Sequence, residues 1–202
     1  MDFIWILAGE DYCFTPEKNG EKLMDKLHRQ IHLYLLLTHD GNEGFHGRRE
    51  IFRKRLASNV RMIQRDIRDL TDAGLLRVKY NSKRDTYFLT EYGFDPEFQI
   101  DKSISESHRK HLNKIRRLCI LWEKLDAAEP FEISRYEEGG LDLPPSGFLD
   151  ARTSYHKLFP EISEGTMRRD FKILEDIGFS LIYNRKYKIF LIESECRENY
   201  YE

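Results

Sequence analysis

The chain has few cysteines and no long apolar run. Its three cysteines, Cys13, Cys119 and Cys196, lie far apart, and no two have the spacing of a metal or redox motif. The apolar segment 3–7 is too short to cross a bilayer and follows an aspartate, where a secretory signal carries basic residues. We therefore expect reduced thiols, a cytoplasmic location and no membrane partner. Segment 3–7 is expected to pack as a strand or arm, or to pair with a second subunit.

Sequence motifs of catalysis are also missing. There is no glycine-rich phosphate loop, no nucleophile elbow and no paired metal-ligand motif. His28 and His32 are one helical turn apart, and His108 and His111 nearly so, but neither pair has a third ligand nearby in the sequence. We expect no enzymatic activity, no metal and no cofactor.

The overall charge does not point to a nucleic-acid partner. The 202 residues carry a formal net charge of -2, whereas most nucleic-acid-binding domains have an excess of lysine and arginine. The 40% hydrophobic and 34% charged residues are typical of a folded protein, and the length fits one domain or two. The distribution of charge is therefore more informative than its sum.

An internal repeat divides the chain. Residues 62–74 are echoed by residues 166–178 at a constant offset of 104, with five identities that include an Arg-Asp pair and a terminal glycine. Each copy has apolar residues at helical spacing, a capping residue before it (Ser58-Asn59 or Ser163) and a glycine stop (Gly74 or Gly178). The repeat therefore predicts two related amphipathic helices, at about 59–73 and 164–177.

The segments around these helices repeat as well. Two short β-rich runs follow each glycine, separated by turn residues, and two helical patterns precede each copy, at 21–39 and 48–56 and at 108–125 and 150–158. The order helix, helix, helix, hairpin predicts a mainly α fold with small β-hairpin wings (α+β), built from tandem winged helix-turn-helix domains. We expect an N-terminal domain at 1–98, a linker at 99–107 and a C-terminal domain at 108–202. Segment 137–147 is expected to be an irregular connection, with a lid or a partner-binding loop as the alternatives.

One side of each repeated helix is basic. In the first copy Arg61, Arg65 and Arg68 lie opposite the apolar side, and in the second copy Arg169 and Lys172 do so, with Gly165 in place of Arg61. In the major groove of DNA, an arginine side chain can donate two hydrogen bonds to guanine, and a glutamine side chain can form two hydrogen bonds with adenine. We expect the aspartates of the Arg-Asp pairs, Asp66 and Asp170, to be structural and to contact the preceding helix.

Charge is concentrated in the first unit. Residues 48–84 contain twelve basic and four acidic side chains, whereas residues 165–188 contain six and three. Each hairpin tip is basic and flanked by tyrosines, for which cross-strand packing is the favoured role. A basic tip would reach the DNA backbone or minor groove. The candidate DNA-binding residues are Asn59, Arg61, Gln64, Arg65, Arg68, Lys83, Arg84, Arg168, Arg169, Lys172, Arg185 and Lys186.

Segments 59–70 and 163–170 resemble the recognition helices of DeoR-type winged helix-turn-helix regulators and of the N-terminal domains of WYL-type regulators. These families share a Ser or Thr, an apolar residue, a polar pair ending in Arg-Asp, and a leucine before Asp-x-Gly. The resemblance covers about 35 residues in each half and implies that Gln64-Arg65 and Arg168-Arg169 lie in the DNA groove. The chain has a second winged unit where those families have a ligand-sensing domain, so the resemblance implies no effector site.

These observations predict a transcriptional regulator that binds double-stranded DNA, with the first unit binding more strongly. Three alternatives stay open: a plasmid or phage replication initiator, a winged-helix subunit that binds proteins in a larger complex, and an RNA-binding role. The sequence also leaves open whether one chain or a homodimer occupies the two half-sites.

Overall fold

A computed structural model describes residues 25–38, 46–95, 97–126, 151–185 and 189–193. Within these ranges the chain is mainly helical with short antiparallel strands, which agrees with the α+β class expected from the sequence. The predicted apolar arm 3–7, the irregular connection 137–147 and the tip residue Lys186 lie outside the described residues. No helix in the described ranges has the length and hydropathy required to cross a membrane.

The first half contains three helices and three strands. In chain order these are α1 (Lys26–Thr38), β1 (His46–Arg48), α2 (Arg49–Arg55), α3 (Val60–Asp72), β2 (Leu76–Asn81) and β3 (Thr86–Tyr92). The strands form one antiparallel sheet in the order β1-β3-β2. The helices and hairpin agree with the sequence prediction to within a few residues.

The second half repeats this order over the described residues. Its elements are α4 (Glu106–Asp126), α5 (Ala151–Leu158), α6 (Glu164–Ile177), β4 (Ser180–Asn184) and β5 (Ile189–Glu193). The strands β4 and β5 pair as an antiparallel hairpin. The division into two domains with a linker at 99–107 stays a prediction.

The predicted caps delimit α3 and α6. The Asn59 Oδ1 atom accepts a hydrogen bond of 3.0 Å from the Met62 backbone N–H, and the Ser163 hydroxyl accepts one of 3.3 Å from Thr166. After the helices, Gly74 has φ +67° and Gly178 has φ +110°, values that L side chains rarely adopt. The caps and glycines therefore fix the ends of both helices, as their sequence pattern predicts.

Strand β1 has no counterpart in the sequence prediction. It is only three residues long, His46–Arg48, and has no alternation of apolar and polar side chains that would reveal it. Its strand conformation comes from pairing with β3, where Gly47 lies opposite Tyr87. A tertiary contact therefore determines this strand.

The buried side chains form one cluster that spans both halves. Phe52, Ile63 and Leu70 are completely buried in the first half, and Leu174 is completely buried in the second. Helix α4 contributes Leu118 and its neighbours to the same cluster. Burial of one side of α3 and α6 leaves the opposite side of each helix available for a partner.

Candidate nucleic-acid interface

The exposed side of α3 has a cluster of arginines, which we call the basic face: Arg61, Arg65 and Arg68. All three side chains are exposed, and none forms an ion pair with a residue that the structure describes. Gln64 is exposed on the same helix, beside Arg65. The basic face is therefore free to bind an anion.

The opposite side of α3 is held by a buried ion pair. The Arg29 Nε atom on α1 donates to the Asp66 Oδ2 atom at 2.5 Å, and the two side chains are only 7% and 1% exposed. Asp66 therefore has the structural role that we expect. Its partner lies on α1, however, so the prediction of a contact to the preceding helix, α2, is wrong. A helix two places back in the chain packs across α3 and supplies the arginine.

A second polar cluster on the buried side of α3 surrounds Asp69. The carboxylate is 2.8 Å from the Lys26 Nζ atom, accepts a hydrogen bond of 2.7 Å from Gln30 and lies 3.0 Å from the His108 ring. Burial on its own would raise the pKa of Asp69, but the contacts with Lys26, His108 and Gln30 outweigh it and lower that pKa. Asp69 therefore ties α3 to both α1 and α4.

The hairpin after α3 presents two more basic side chains at its tip. Lys83 and Arg84 are exposed, and their backbone N–H groups donate to the Asn81 Oδ1 atom at 3.0 and 3.2 Å. Tyr80 packs across the strands on Tyr87, with ring centroids 5.0 Å apart, as the packing interpretation predicts. The tip is thus a hydrogen-bonded turn, and the Lys83 and Arg84 side chains have no ion-pair partner among the described residues.

Helix α6 repeats the buried anchor of α3. The Arg117 guanidinium on α4 contacts Asp170 through both Nε and Nη2, the latter at 3.0 Å, and the Tyr155 hydroxyl donates to Asp170 at 2.6 Å. The partner arginine lies on α4, but Tyr155 lies on α5, so the predicted contact of Asp170 with the preceding helix is confirmed. Both Arg-Asp motifs therefore supply an aspartate to the core.

The exposed basic residues of α6 are less available than those of α3. Arg168 forms an ion pair of 2.6 Å with Glu164, and the Arg169 Nε atom donates to the Gly165 carbonyl at 3.1 Å. Lys172 and Arg185 are exposed. The structure thus brings most of the predicted residues to the surface but leaves the second unit with the weaker basic surface.

Asn59 differs from the other predicted DNA contacts because its side chain caps a helix. Its side chain is exposed, but the Oδ1 atom is already engaged as the N-cap of α3. The cap positions the first turn of the helix, from which Arg61 projects. Asn59 therefore supports the basic face as well as lying beside it.

The spaced histidine pairs contact protein groups. His28 lies 3.4 Å from Asp25, His111 lies 3.0 Å from the Gln30 side chain, and His108 contacts Asp69. His32 packs on Phe179 with ring centroids 6.2 Å apart. Within the described ranges, no three metal-ligating side chains are grouped so that they could hold an ion.

Two anchor residues, Arg29 and Arg117, were not predicted from the sequence. The internal repeat relates α3 to α6 at an offset of 104 residues, whereas Arg29 and Arg117 are 88 residues apart. A separate alignment of α1 with α4 would have found them, because a leucine follows each arginine four residues later, at Leu33 and Leu121. The offsets differ because α4 and α6 are farther apart in the sequence than α1 and α3 are.

No protein-family model, curated protein or solved structure significantly matches the chain. The resemblance to DeoR-type and WYL-type regulators therefore depends on the motif residues alone.

Proposed function

We propose that the chain is a cytoplasmic transcriptional regulator that binds double-stranded DNA, and that its two halves are winged helix-turn-helix units. The element order supports this assignment, since a short turn at 56–59 joins α2 to α3 and a hairpin follows directly. The second half has the same order. In this proposal α3 and α6 are the recognition helices and the hairpins are the wings.

The observation that carries the proposal is that no carboxylate among the described residues forms an ion pair with the basic face. A cluster of exposed arginines without carboxylate partners repels itself unless an anion neutralises it. The fork of an arginine side chain can bind the O6 and N7 atoms of guanine in the major groove, and it also binds phosphate. Arg61, Arg65 and Arg68 therefore give α3 both affinity for DNA and the means to read bases.

The first wing extends the same interface. Lys83 and Arg84 lie in the tight turn between β2 and β3, in the hairpin that follows α3, and their exposed ammonium and guanidinium groups suit contacts with the DNA backbone. Such phosphate contacts fix the register of the helix in the groove without reading sequence. The first unit thus combines a base-reading helix with a positioning wing.

The second unit contributes less affinity in this account. Arg168 and Arg169 already use some of their donors for Glu164 and the Gly165 carbonyl, and Gly165 stands where the first unit has Arg61. We assign most of the affinity to the basic face of α3 and a refining role to α6.

Selection of bound duplexes from a random library, in the presence of competitor DNA, tests the proposal. We expect the full chain to enrich one sequence. The variant R61A/R65A/R68A should enrich none, and R168A/R169A/K172A should enrich a related sequence more weakly. Absence of enrichment by the wild type, or unchanged enrichment by the α3 variant, contradicts the proposal. The molar ratio of chain to selected duplex shows whether a monomer or a homodimer binds.

A further inference from the structure

Helix α4, the first helix of the second half, packs against both halves of the molecule. Two consecutive residues, Arg116 and Arg117, contact opposite halves. The Arg116 guanidinium donates to the carbonyl oxygens of Ala73 at 2.8 Å and Gly74 at 3.3 Å, at the end of α3, and also to that of Asp95. Arg117 binds Asp170 of α6. The two recognition helices are therefore attached to adjacent residues of one helix.

Other contacts of α4 with the first half reinforce the Arg116 contact. The Tyr34 hydroxyl on α1 donates to Glu123 at 2.8 Å, and His108 contacts Asp69 on α3. The Arg116 guanidinium also lies over the rings of Phe94 and Phe98, at 5.0 and 5.1 Å. These contacts run along the helix, so α4 does not meet the first half at a single pivot.

The apolar residues of α4 are buried on more than one side. Over its last four turns the helix has a nearly continuous set of buried side chains, each at most 3% exposed: Leu112, Ile115, Leu118, Cys119, Ile120, Leu121, Trp122 and Leu125. A helix that is apolar over most of its circumference is a central core helix, whereas a surface helix has a single apolar stripe. Helix α4 is thus packed between the halves.

A direct contact also joins the first helix to the second unit. The His32 ring on α1 packs on Phe179 and hydrogen-bonds to the Ile177 backbone, at the end of α6. The Trp122 ring of α4 lies 6.0 Å from the same Phe179 ring. The C-terminal end of α6 is therefore held from α1 as well as from α4.

We propose that α4 fixes α3 and α6 in one relative orientation, so that the chain recognises a single bipartite duplex with one spacing between its two parts. This inference rests on the proposed function. Two units joined by a flexible linker would accept many spacings, because the linker would take up the difference. A shared core helix cannot do so. Arg116 is the positioning residue, since it attaches the end of α3 to α4.

A distance measurement tests the fixed orientation without DNA. Nitroxide labels are placed at the repeat-equivalent positions by Asp72→Cys and Asp176→Cys, with Cys13→Ser and Cys196→Ser, while the fully buried Cys119 is retained. Pulsed electron spin resonance should give one narrow distance distribution in the full chain. It should broaden in Arg116→Ala and stay narrow in the control Lys124→Ala, an exposed residue of the same helix.

A spacing series tests the consequence for DNA. Base pairs are inserted between the two parts of the selected duplex, and the Kd is measured for each length. Inserting about half a helical turn should raise the wild-type Kd by about 100-fold, because only one unit can then bind, and Arg116→Ala should show a much smaller dependence on spacing. The wild-type series needs no variant and is therefore valid even if Arg116→Ala does not fold.

The outcomes separate the two proposals. A narrow distance together with one preferred spacing supports the inference. A broad distance in the wild type overturns it, and so does equal affinity for all spacings with a narrow distance. A narrow distance without any binding to duplex DNA contradicts the proposed function while it confirms the fixed orientation.

Discussion

Arg29 on α1 forms a buried ion pair with Asp66 on α3, with the Arg29 Nε atom 2.5 Å from the Asp66 Oδ2 atom. The Arg117–Asp170 pair between α4 and α6 repeats this relationship. In both cases the aspartate follows an exposed arginine of the same helix, Arg65 on α3 or Arg169 on α6. The ion pair therefore sets the rotation of that helix, so that the aspartate faces the core and the arginines face outwards.

Replacing Asp66 with alanine should lower the free energy of unfolding by about 3–5 kcal/mol, because Arg29 is then left buried without a partner. Urea unfolding measures the loss. Asp72→Ala, on the same helix but outside this pair, should change the free energy by no more than about 0.5 kcal/mol. The double variant R29M/D66L should recover most of the stability, since it removes both charges. A loss below about 1 kcal/mol in Asp66→Ala alone would show that the pair does not hold α3.

Acid should weaken the contact between the halves through His32. Burial and, to a smaller extent, the charge of His28 lower the pKa of His32 to about 4, and the hydrogen bond to the Ile177 backbone opposes this only in part. The unfolded chain, with an ordinary histidine pKa of about 6.5, therefore binds the proton more readily, and stability falls as the pH drops from about 6.5 towards 4.

His32→Phe should remove this component. Between about pH 7 and about pH 5 the wild type should lose about 2 kcal/mol more of its unfolding free energy than His32→Phe does. His28→Phe, one turn earlier on α1, removes only the part of the shift that the charge of His28 causes, so its pH dependence should lie between those of the wild type and His32→Phe. Equal pH dependence of the wild type and His32→Phe would show that His32 titrates normally in the folded chain.

The two repeated glycines should differ in their tolerance of alanine. Both have positive φ, so each substitution strains the backbone by about 1–2 kcal/mol. A Cβ at Gly74 would lie 2.4 Å from the Phe98 ring, whereas nothing lies within 4 Å of one at Gly178. Gly74→Ala should therefore cost a further ~1–3 kcal/mol in urea unfolding. Equal losses for both variants would mean that Phe98 moves aside freely.

The sequence predicts the helices and hairpins well because their signals are local. Caps at Asn59 and Ser163, and glycine stops at Gly74 and Gly178, act within a few residues of the helix ends that they fix. The exposed arginines of α3 could also be predicted, since helical geometry places them opposite the buried side. The absence of ion pairs at these arginines could not be predicted, because it depends on which carboxylates the fold brings close to them.

Contacts between residues that are distant in the sequence could not be predicted. Strand β1 forms through its pairing with β3, and the arginine partners of Asp66 and Asp170 lie on helices that are distant in sequence. The central place of α4 was not predicted either, because its pattern resembles that of an ordinary first helix. Its adjacent arginines differ in their contacts, since Arg116 binds the end of α3 and Arg117 binds α6, and these contacts depend on how both halves pack.

Equilibrium binding to the selected duplex, measured by fluorescence anisotropy over a range of salt concentrations, tests the central claim most directly. The variant R61A/R65A/R68A is compared with K102A/K110A/K124A, which removes the same charge from exposed lysines of α4 and the loop before it. The account predicts that the α3 variant raises the Kd by about 100-fold or more and lowers the salt slope by about 3, while the control binds like the wild type. Equal losses in the two variants, or wild-type affinity in the α3 variant, would contradict the claim that the basic face of α3 binds DNA.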